Sequence, residues 1–186
     1  MVSIMSLWAP IVVSAVLVFV VSSIVHMVLT YHKSDYRQLP REAETLDTLR
    51  RAGLTPGVYH FPYAGSPKAM GSPEMIAKYN QGPVGLLTVM PGGPPAMPKY
   101  LAFWFAYSLL VGVFVACLTG WSHAAGTEFR LVFCFASTAA FLAYGIPNIV
   151  DSIWKGQTWG STLKHIFDGL LYALVTAAAF GWLWPH

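Results

Sequence analysis

Four long runs of apolar residues, separated by polar or proline-rich stretches, dominate the hydropathy pattern of the chain. The first three contain no Asp, Glu, Lys or Arg, and the fourth carries its charged residues only near its start. The runs are Leu7–Tyr31, Leu101–Trp121, Leu131–Val150 and Ser161–Trp184. About 20 helical residues cross the roughly 30 Å hydrocarbon core of a bilayer. The pattern therefore predicts an all-α integral membrane protein with four transmembrane helices.

The segment between the first two runs has a different composition. Ten of the thirteen prolines lie between Pro40 and Pro98, and glycines are frequent there as well. We therefore predict a transmembrane helix in residues 1–31, an irregular Pro/Gly-rich cap with short helices in 32–98, and transmembrane helices 2–4 in 99–186. Within the cap, "PREAETLDTLRRAG" and "SPEMIAKYN" predict helices, the second capped by Ser72, and "GPVGLLTVMPGG" predicts one short strand.

The distribution of basic residues predicts the topology. Eight of the eleven Lys and Arg residues lie between the first and second spans, and only Arg130 lies on the opposite side. The positive-inside rule then places the 32–98 connection in the cytoplasm and both termini outside. The overall plan, with the phrases "DSIWKGQTW" and "FGWLWP", resembles that of small four-span bacterial membrane proteins. This resemblance implies the inner (cytoplasmic) membrane and no residue roles.

The composition favours a lipid bilayer, rather than nucleic acid, as the partner of the chain. Only 10% of the residues are charged, against about 25% in soluble domains. Basic residues are mixed with acidic ones in the 32–98 connection, so we predict no nucleic-acid surface. No glycine-rich phosphate loop is present. The expected partner is the lipid bilayer itself.

Two spans carry a small residue at every fourth position, a spacing that lets helix backbones approach closely. The two sets are Ser108, Gly112, Ala116 and Gly120, and Gly169, Ala173, Ala177 and Gly181. The pattern alone leaves open whether these faces meet within one chain or between chains. We expect a homo-oligomer or a subunit of a larger membrane complex.

A few polar side chains are expected at one depth, near the cytoplasmic ends of the spans. These are His26, Asn148, Asp151, His165, Asp168 and Tyr172. Three interpretations compete: hydrogen-bonded structural groups, a permeation or binding pathway, and a haem or divalent-metal site formed by the two histidines with Asp168. Since no C-x-x-C-H or H-E-x-x-H spacing occurs, we expect no metal and no cofactor. We interpret His32, His60 and His123 as ordinary surface or interfacial residues.

No pattern in the chain indicates catalytic residues, so we expect no enzymatic activity. The first hypothesis is a non-enzymatic assembly or accessory membrane protein that oligomerises through its small-residue faces. The alternative is a small transporter or channel that uses His26, His165 and Asp168.

Overall fold

A computed structural model describes residues 1–186 of the chain, and the fold is mostly helical. Four helical segments are long and apolar enough to cross a membrane, as predicted: Ile4–Val28, Met97–Ser122, Phe129–Lys155 and Trp159–Trp182. The α-helices are α1 (Trp8–Ser23), α2 (Glu42–Arg51), α3 (Pro67–Met70), α4 (Pro73–Gln81), α5 (Met97–Ser122), α6 (Phe129–Tyr144), α7 (Ile149–Lys155) and α8 (Trp159–Trp182). The strands are β1 (Gly57–Phe61) and β2 (Gly85–Val89).

The chain divides into two compact units. The helical unit comprises residues 1–35, 95–152 and 157–186, and the hairpin unit comprises 36–94 with 153–156. Residues 32–35 were assigned to the connection on sequence grounds, but they pack with the long helices. The chain therefore leaves the helical unit after Asp35.

Within the helical unit, each long helix packs against two others. The α1 helix contacts α5 and α8, and α6 contacts the same two helices, so the four form a closed ring. Fully buried side chains at the centre include Val18, Val115, Val132 and Phe180. Much of the remaining interior is formed by small residues (alanine, glycine, serine and threonine), which let the helices lie close together.

The small-residue faces make contacts inside this one chain. A Cβ added to Gly112 would lie 3.3 Å from Ile11, and one added to Gly169 would lie 2.5 Å from the Cα of Gly145. The first face thus packs α5 against the first span, and the second packs α8 against α6. An oligomer would have to use other surfaces, so the expectation that these faces join separate chains loses its basis.

The first span ends earlier than its apolar run suggests. The α1 helix continues into a single π-helical turn, Ile24–Val28, in which the Leu29 N–H donates to the Ile24 carbonyl at 3.1 Å. Leu29 is extended, and the chain then forms a 3₁₀ turn at Tyr31–Asp35. Residues after Val28 therefore leave the helical periodicity on which the sequence prediction depended.

Pro147 interrupts the third span, as expected for a residue that has no N–H to donate to the carbonyl four positions earlier. That carbonyl, on Ala143, instead accepts a hydrogen bond from the Tyr107 hydroxyl at 3.0 Å. The Asn148 amide donates to the next two carbonyls, those of Tyr144 and Gly145, each at 2.9 Å. Side chains thus satisfy the backbone groups that the break exposes.

The hairpin unit adds two strands to a fold that is otherwise helical, as predicted. Strands β1 and β2 pair antiparallel, with Gly57 opposite Val89 and Phe61 opposite Gly85. The strand in "GPVGLLTVMPGG" is confirmed as β2, whereas β1 was not predicted. The two predicted helices are present, and the Ser72 hydroxyl caps α4 by accepting from the Met75 N–H at 3.2 Å. No residue of this unit is buried.

Candidate functional site

The carboxylate of Asp168 is the centre of a polar network inside the helical unit. Asp168 is only 2% exposed and lies about two and a half turns into α8. Its Oδ1 accepts a hydrogen bond from the Tyr31 hydroxyl, and its Oδ2 lies 2.8 Å from Nε2 of His32. A buried carboxylate is tolerated only when such donors replace its water shell, and the 3₁₀ turn supplies both.

His32 bridges two carboxylates. While its Nε2 faces Asp168, its Nδ1 lies 2.6 Å from Oδ2 of Asp35. An ionised carboxylate can only accept a hydrogen bond, so both contacts are satisfied together when both ring nitrogens carry a proton. The arrangement therefore suits an imidazolium between two anions.

Lys164 completes the charge balance. Its ammonium donates to Asp35 Oδ1 at 2.7 Å, to the Tyr31 carbonyl at 2.6 Å and to the Ser34 hydroxyl at 2.7 Å. Burial alone would raise the pKa of Asp35, but hydrogen bonds from Lys164 and His32 outweigh it and hold that pKa below its ordinary value. The Lys164 ammonium thus pairs with Asp35, and the His32 ring links that carboxylate to Asp168.

Tyr31 acts as a fixed hydrogen-bond donor. Burial raises the pKa of its phenol well above the ordinary value, and the hydrogen bond to Asp168 raises it further. The hydroxyl therefore keeps its proton throughout the physiological range and continues to donate to Asp168.

Two further histidines flank His32. Its ring centroid is 4.5 Å from that of His26 and 5.1 Å from that of His165. The Nδ1 of His165 lies 3.8 Å from Asp168 Oδ2, too far for a hydrogen bond. The Nε2 of His26 lies 3.4 Å from the Tyr172 hydroxyl. Three imidazoles thus surround one carboxylate.

A cavity of about 290 Å³ adjoins this cluster. It is lined by His26, Trp104, Tyr107, Ala143, Tyr144, Pro147, Asn148, His165, Asp168 and Tyr172. Five of the six residues predicted from sequence are therefore brought to one place. Asn148 lines the cavity, although its amide donates to backbone carbonyls. Asp151 is not among the lining residues, and its backbone carbonyl accepts the Gln157 N–H at 3.2 Å.

The interpretation of His32 as an ordinary surface or interfacial residue is wrong, since its ring bridges two carboxylates, and Tyr31 and Asp35 were missed. The predicted helix in residues 1–31 continues a periodicity that stops at Val28, and so gives no information on where the residues after it lie. A signal was nevertheless present in the sequence, because consecutive residues with polar side-chain atoms, "TYHKSD", follow directly on Leu29.

Two sets of side chains have the donor atoms and spacing to hold a metal ion. One is His26, His32 and Asp168, and the other is His32, Asp35 and His165; in each, the ligand atoms lie within 4.8 Å of one another. Both sets share His32, whose Nε2 faces Asp168 and whose Nδ1 faces Asp35. Nitrogen and oxygen donors of this kind suit divalent transition metals.

Comparison with known proteins identifies no relative: no family model, no curated protein and no solved structure matches the chain.

Proposed function

We propose that the chain is a multi-pass protein of the bacterial inner membrane that acts as a non-enzymatic assembly or accessory subunit. Four helices of sufficient length and apolarity support the membrane location. Large apolar side chains on their outer faces are more than half exposed, which suits contact with lipid. They include Phe103, Leu110, Phe114, Leu142, Leu163 and Phe167.

The observation that carries the accessory role is the absence of a core in the hairpin unit. None of its residues is buried, yet Val58, Tyr63 and Val84 are each more than half exposed. Ordering a residue costs about 1–2 kcal/mol of backbone entropy, which buried apolar area normally offsets. A second protein subunit that covers these side chains supplies the missing burial.

Co-purification from native membranes in a mild detergent tests this role. The expected result is a second subunit at fixed stoichiometry with the wild-type chain. Val58→Asp places a charge in the proposed contact and should release that subunit, whereas Lys68→Asp, at an exposed polar position, should retain it. A wild-type protein that runs as a monomer by light scattering, with no second subunit, would contradict the proposal.

The proposed topology has its own test. With both termini outside, alkaline phosphatase fused after His186 should be active and green fluorescent protein fused there should be dark. Fusions within the hairpin unit should give the opposite pair of results. The reverse pattern at either position would refute this orientation.

The cavity favours a second candidate function, a small transporter or channel. It places His26, His165 and Asp168 beside a space large enough for several water molecules. Proton flux into liposomes should then be lost in His165→Ala and kept in His123→Ala, whose side chain lies outside the cluster. Equal flux in the two variants, or none in the wild type, would leave only the accessory role.

A further inference from the structure

We propose that His26, His32 and Asp168 bind one divalent transition-metal ion, with Zn²⁺ as the ion that best suits this donor set. Asp35 and Tyr31 act as positioning residues for His32 and Asp168. This site goes beyond the proposed accessory function and does not depend on it.

The donor atoms already converge. A ring nitrogen of each histidine and a carboxylate oxygen of Asp168 lie within 4.8 Å of one another, and His32 Nε2 is 2.8 Å from Asp168 Oδ2. In a tetrahedral site with bonds of about 2.1 Å, ligand atoms are roughly 3.4 Å apart. Small side-chain movements would therefore bring all three into coordination. Two imidazoles with one carboxylate form a known zinc ligand set.

The surrounding hydrogen bonds are those that hold metal ligands in place. A histidine that binds a metal typically donates its other ring N–H to a carboxylate or carbonyl, which fixes the tautomer and the ring orientation. His32 has this arrangement, since its Nδ1 is 2.6 Å from Asp35. The Tyr31 hydroxyl holds Oδ1 of Asp168 and so leaves Oδ2 toward the histidines.

The alternative set, His32, Asp35 and His165, is less suitable. The carboxylate of Asp35 is bound by the Lys164 ammonium at 2.7 Å, which would repel a cation placed on the same carboxylate. Asp168 has no lysine or arginine among its hydrogen-bond and ion-pair partners. Electrostatics thus favours the site on Asp168, with Asp35 kept as the partner of His32.

The cavity provides the remaining coordination position. His26 and Asp168 both line it, and so does His165, whose Nδ1 is 3.8 Å from Asp168 Oδ2. Water or the His165 ring would complete a four-coordinate ion from this side. Three protein ligands with one exchangeable position are typical of zinc sites that remain accessible to small molecules.

Metal binding requires a proton to leave. The 2.8 Å contact between His32 Nε2 and Asp168 Oδ2 is a hydrogen bond that holds one proton between the two atoms, and an ion that binds both atoms displaces this proton to solvent. His26 must also be neutral to coordinate. The titratable groups around His32 are Asp35, Asp168, His26, His165 and Tyr31, with Lys164 behind Asp35. Affinity should therefore fall as the pH is lowered.

Calorimetric titration of the full-length, tag-free protein in detergent with Zn²⁺ tests the site. We expect one ion per chain, with proton release detected as a dependence of the heat on buffer ionisation. His26→Gln should weaken binding by more than about 100-fold, the upper range for loss of a residue that only supports a ligand. It removes a ligand without touching the ion pairs of Asp35 and Asp168, so the fold should persist. His60→Gln, in the hairpin unit, is the matched control and should bind as the wild type does.

Tyr31→Phe distinguishes positioning from coordination. It should weaken Zn²⁺ binding by about 10- to 100-fold, while bound Co²⁺ keeps the intense visible absorption of a tetrahedral ion.

Three results would overturn the proposal: wild-type protein that binds no tighter than His26→Gln, equal weakening in His60→Gln, or a Co²⁺ spectrum of octahedral type. If metal-free His26→Gln unfolds at a lower temperature than metal-free wild type, its weaker binding could reflect lost stability. The same titration is then made with Asp168→Glu, which keeps a carboxylate. Its retention of tetrahedral Co²⁺ supports the site and its failure to bind any ion while still folded refutes it.

Discussion

The two units of this chain are stabilised in different ways. The helical unit buries charged groups in compensated pairs and packs glycine against backbone, so its stability comes from contacts between residues far apart in sequence. The hairpin unit buries no residue and depends on helix caps, one strand pairing and exposed ion pairs between close neighbours. Substitutions should therefore have global effects in the first unit and local effects in the second.

The largest expected effect follows from removing the central carboxylate. Asp168→Ala leaves His32 and Tyr31 without their buried acceptor, and breaking a buried ion pair costs about 3–5 kcal/mol. Reversible unfolding of the detergent-solubilised protein would measure this loss. Asp47→Ala, whose side chain is exposed in α2, should change the unfolding midpoint little. A small effect of Asp168→Ala would mean that the network does not stabilise the helical unit.

The next effect concerns the contact between α6 and α8. Gly169→Ala adds a Cβ only 2.5 Å from the Cα of Gly145, a backbone atom that cannot move aside alone. Overpacking of this kind costs about 1–3 kcal/mol. Gly160→Ala, where an added Cβ meets nothing within 4 Å, is the matched control in the same helix. Equal unfolding midpoints for the two variants would show that the helices are not closely packed.

Asp35 and Glu74 both have a lowered pKa, but acidification should reduce stability through Asp35 only. Hydrogen bonds from Lys164 and His32 lower the pKa of Asp35 despite its burial. A hydrogen bond from Lys78 lowers the pKa of the exposed Glu74. A depressed folded-state pKa stabilises the protein above the ordinary value, about 3.9 for Asp, and this contribution disappears as the pH falls through the lower folded-state value.

Unfolding measured from pH 7 down to pH 3 should therefore show Asp35→Asn as less stable than wild type near neutrality, with the two curves converging in acid. Glu74→Gln should follow the wild-type curve throughout, since its ion pair is exposed and screened by salt. A constant gap between Asp35→Asn and wild type across the range would contradict the assignment.

The smallest effect is expected in the hairpin unit. Ser72→Ala removes the cap of α4, a change worth about 1 kcal/mol. Hydrogen exchange of the α4 amides should accelerate, whereas α2 and the long helices should exchange as before. Slower or faster exchange throughout the molecule would show that the two units unfold together, and the comparison would then fail.

Run length was enough to predict the four long helices, because about 20 consecutive apolar residues admit few other structures. The cap at Ser72 and the interruption at Pro147 were also predictable, since each depends on local backbone chemistry. His26, His165 and Asp168 could be grouped by depth and helix face alone.

Strand β1 and the polar network around Asp168 could not be predicted, because they depend on long-range contacts that do not follow from hydrophobic periodicity. Strand β1 pairs with a partner 28 or so residues away, so its residues carry little local signal. The roles of Tyr31, His32 and Asp35 follow from the end of the helix at Val28, after which the chain turns toward α8. Lys164 lies near the start of α8, yet its partners lie in that turn, about 130 residues earlier in the chain.

The pairing of His32 with Asp168 also has a consequence for biosynthesis. The two residues are 136 positions apart in the chain, and translation at about 5–20 residues per second separates their appearance by roughly 7–27 s. During that interval the first span has been made, but its acceptor in the fourth has not. During synthesis, Tyr31 therefore lacks its acceptor, and His32 has only Asp35 as a partner, until the fourth span is made.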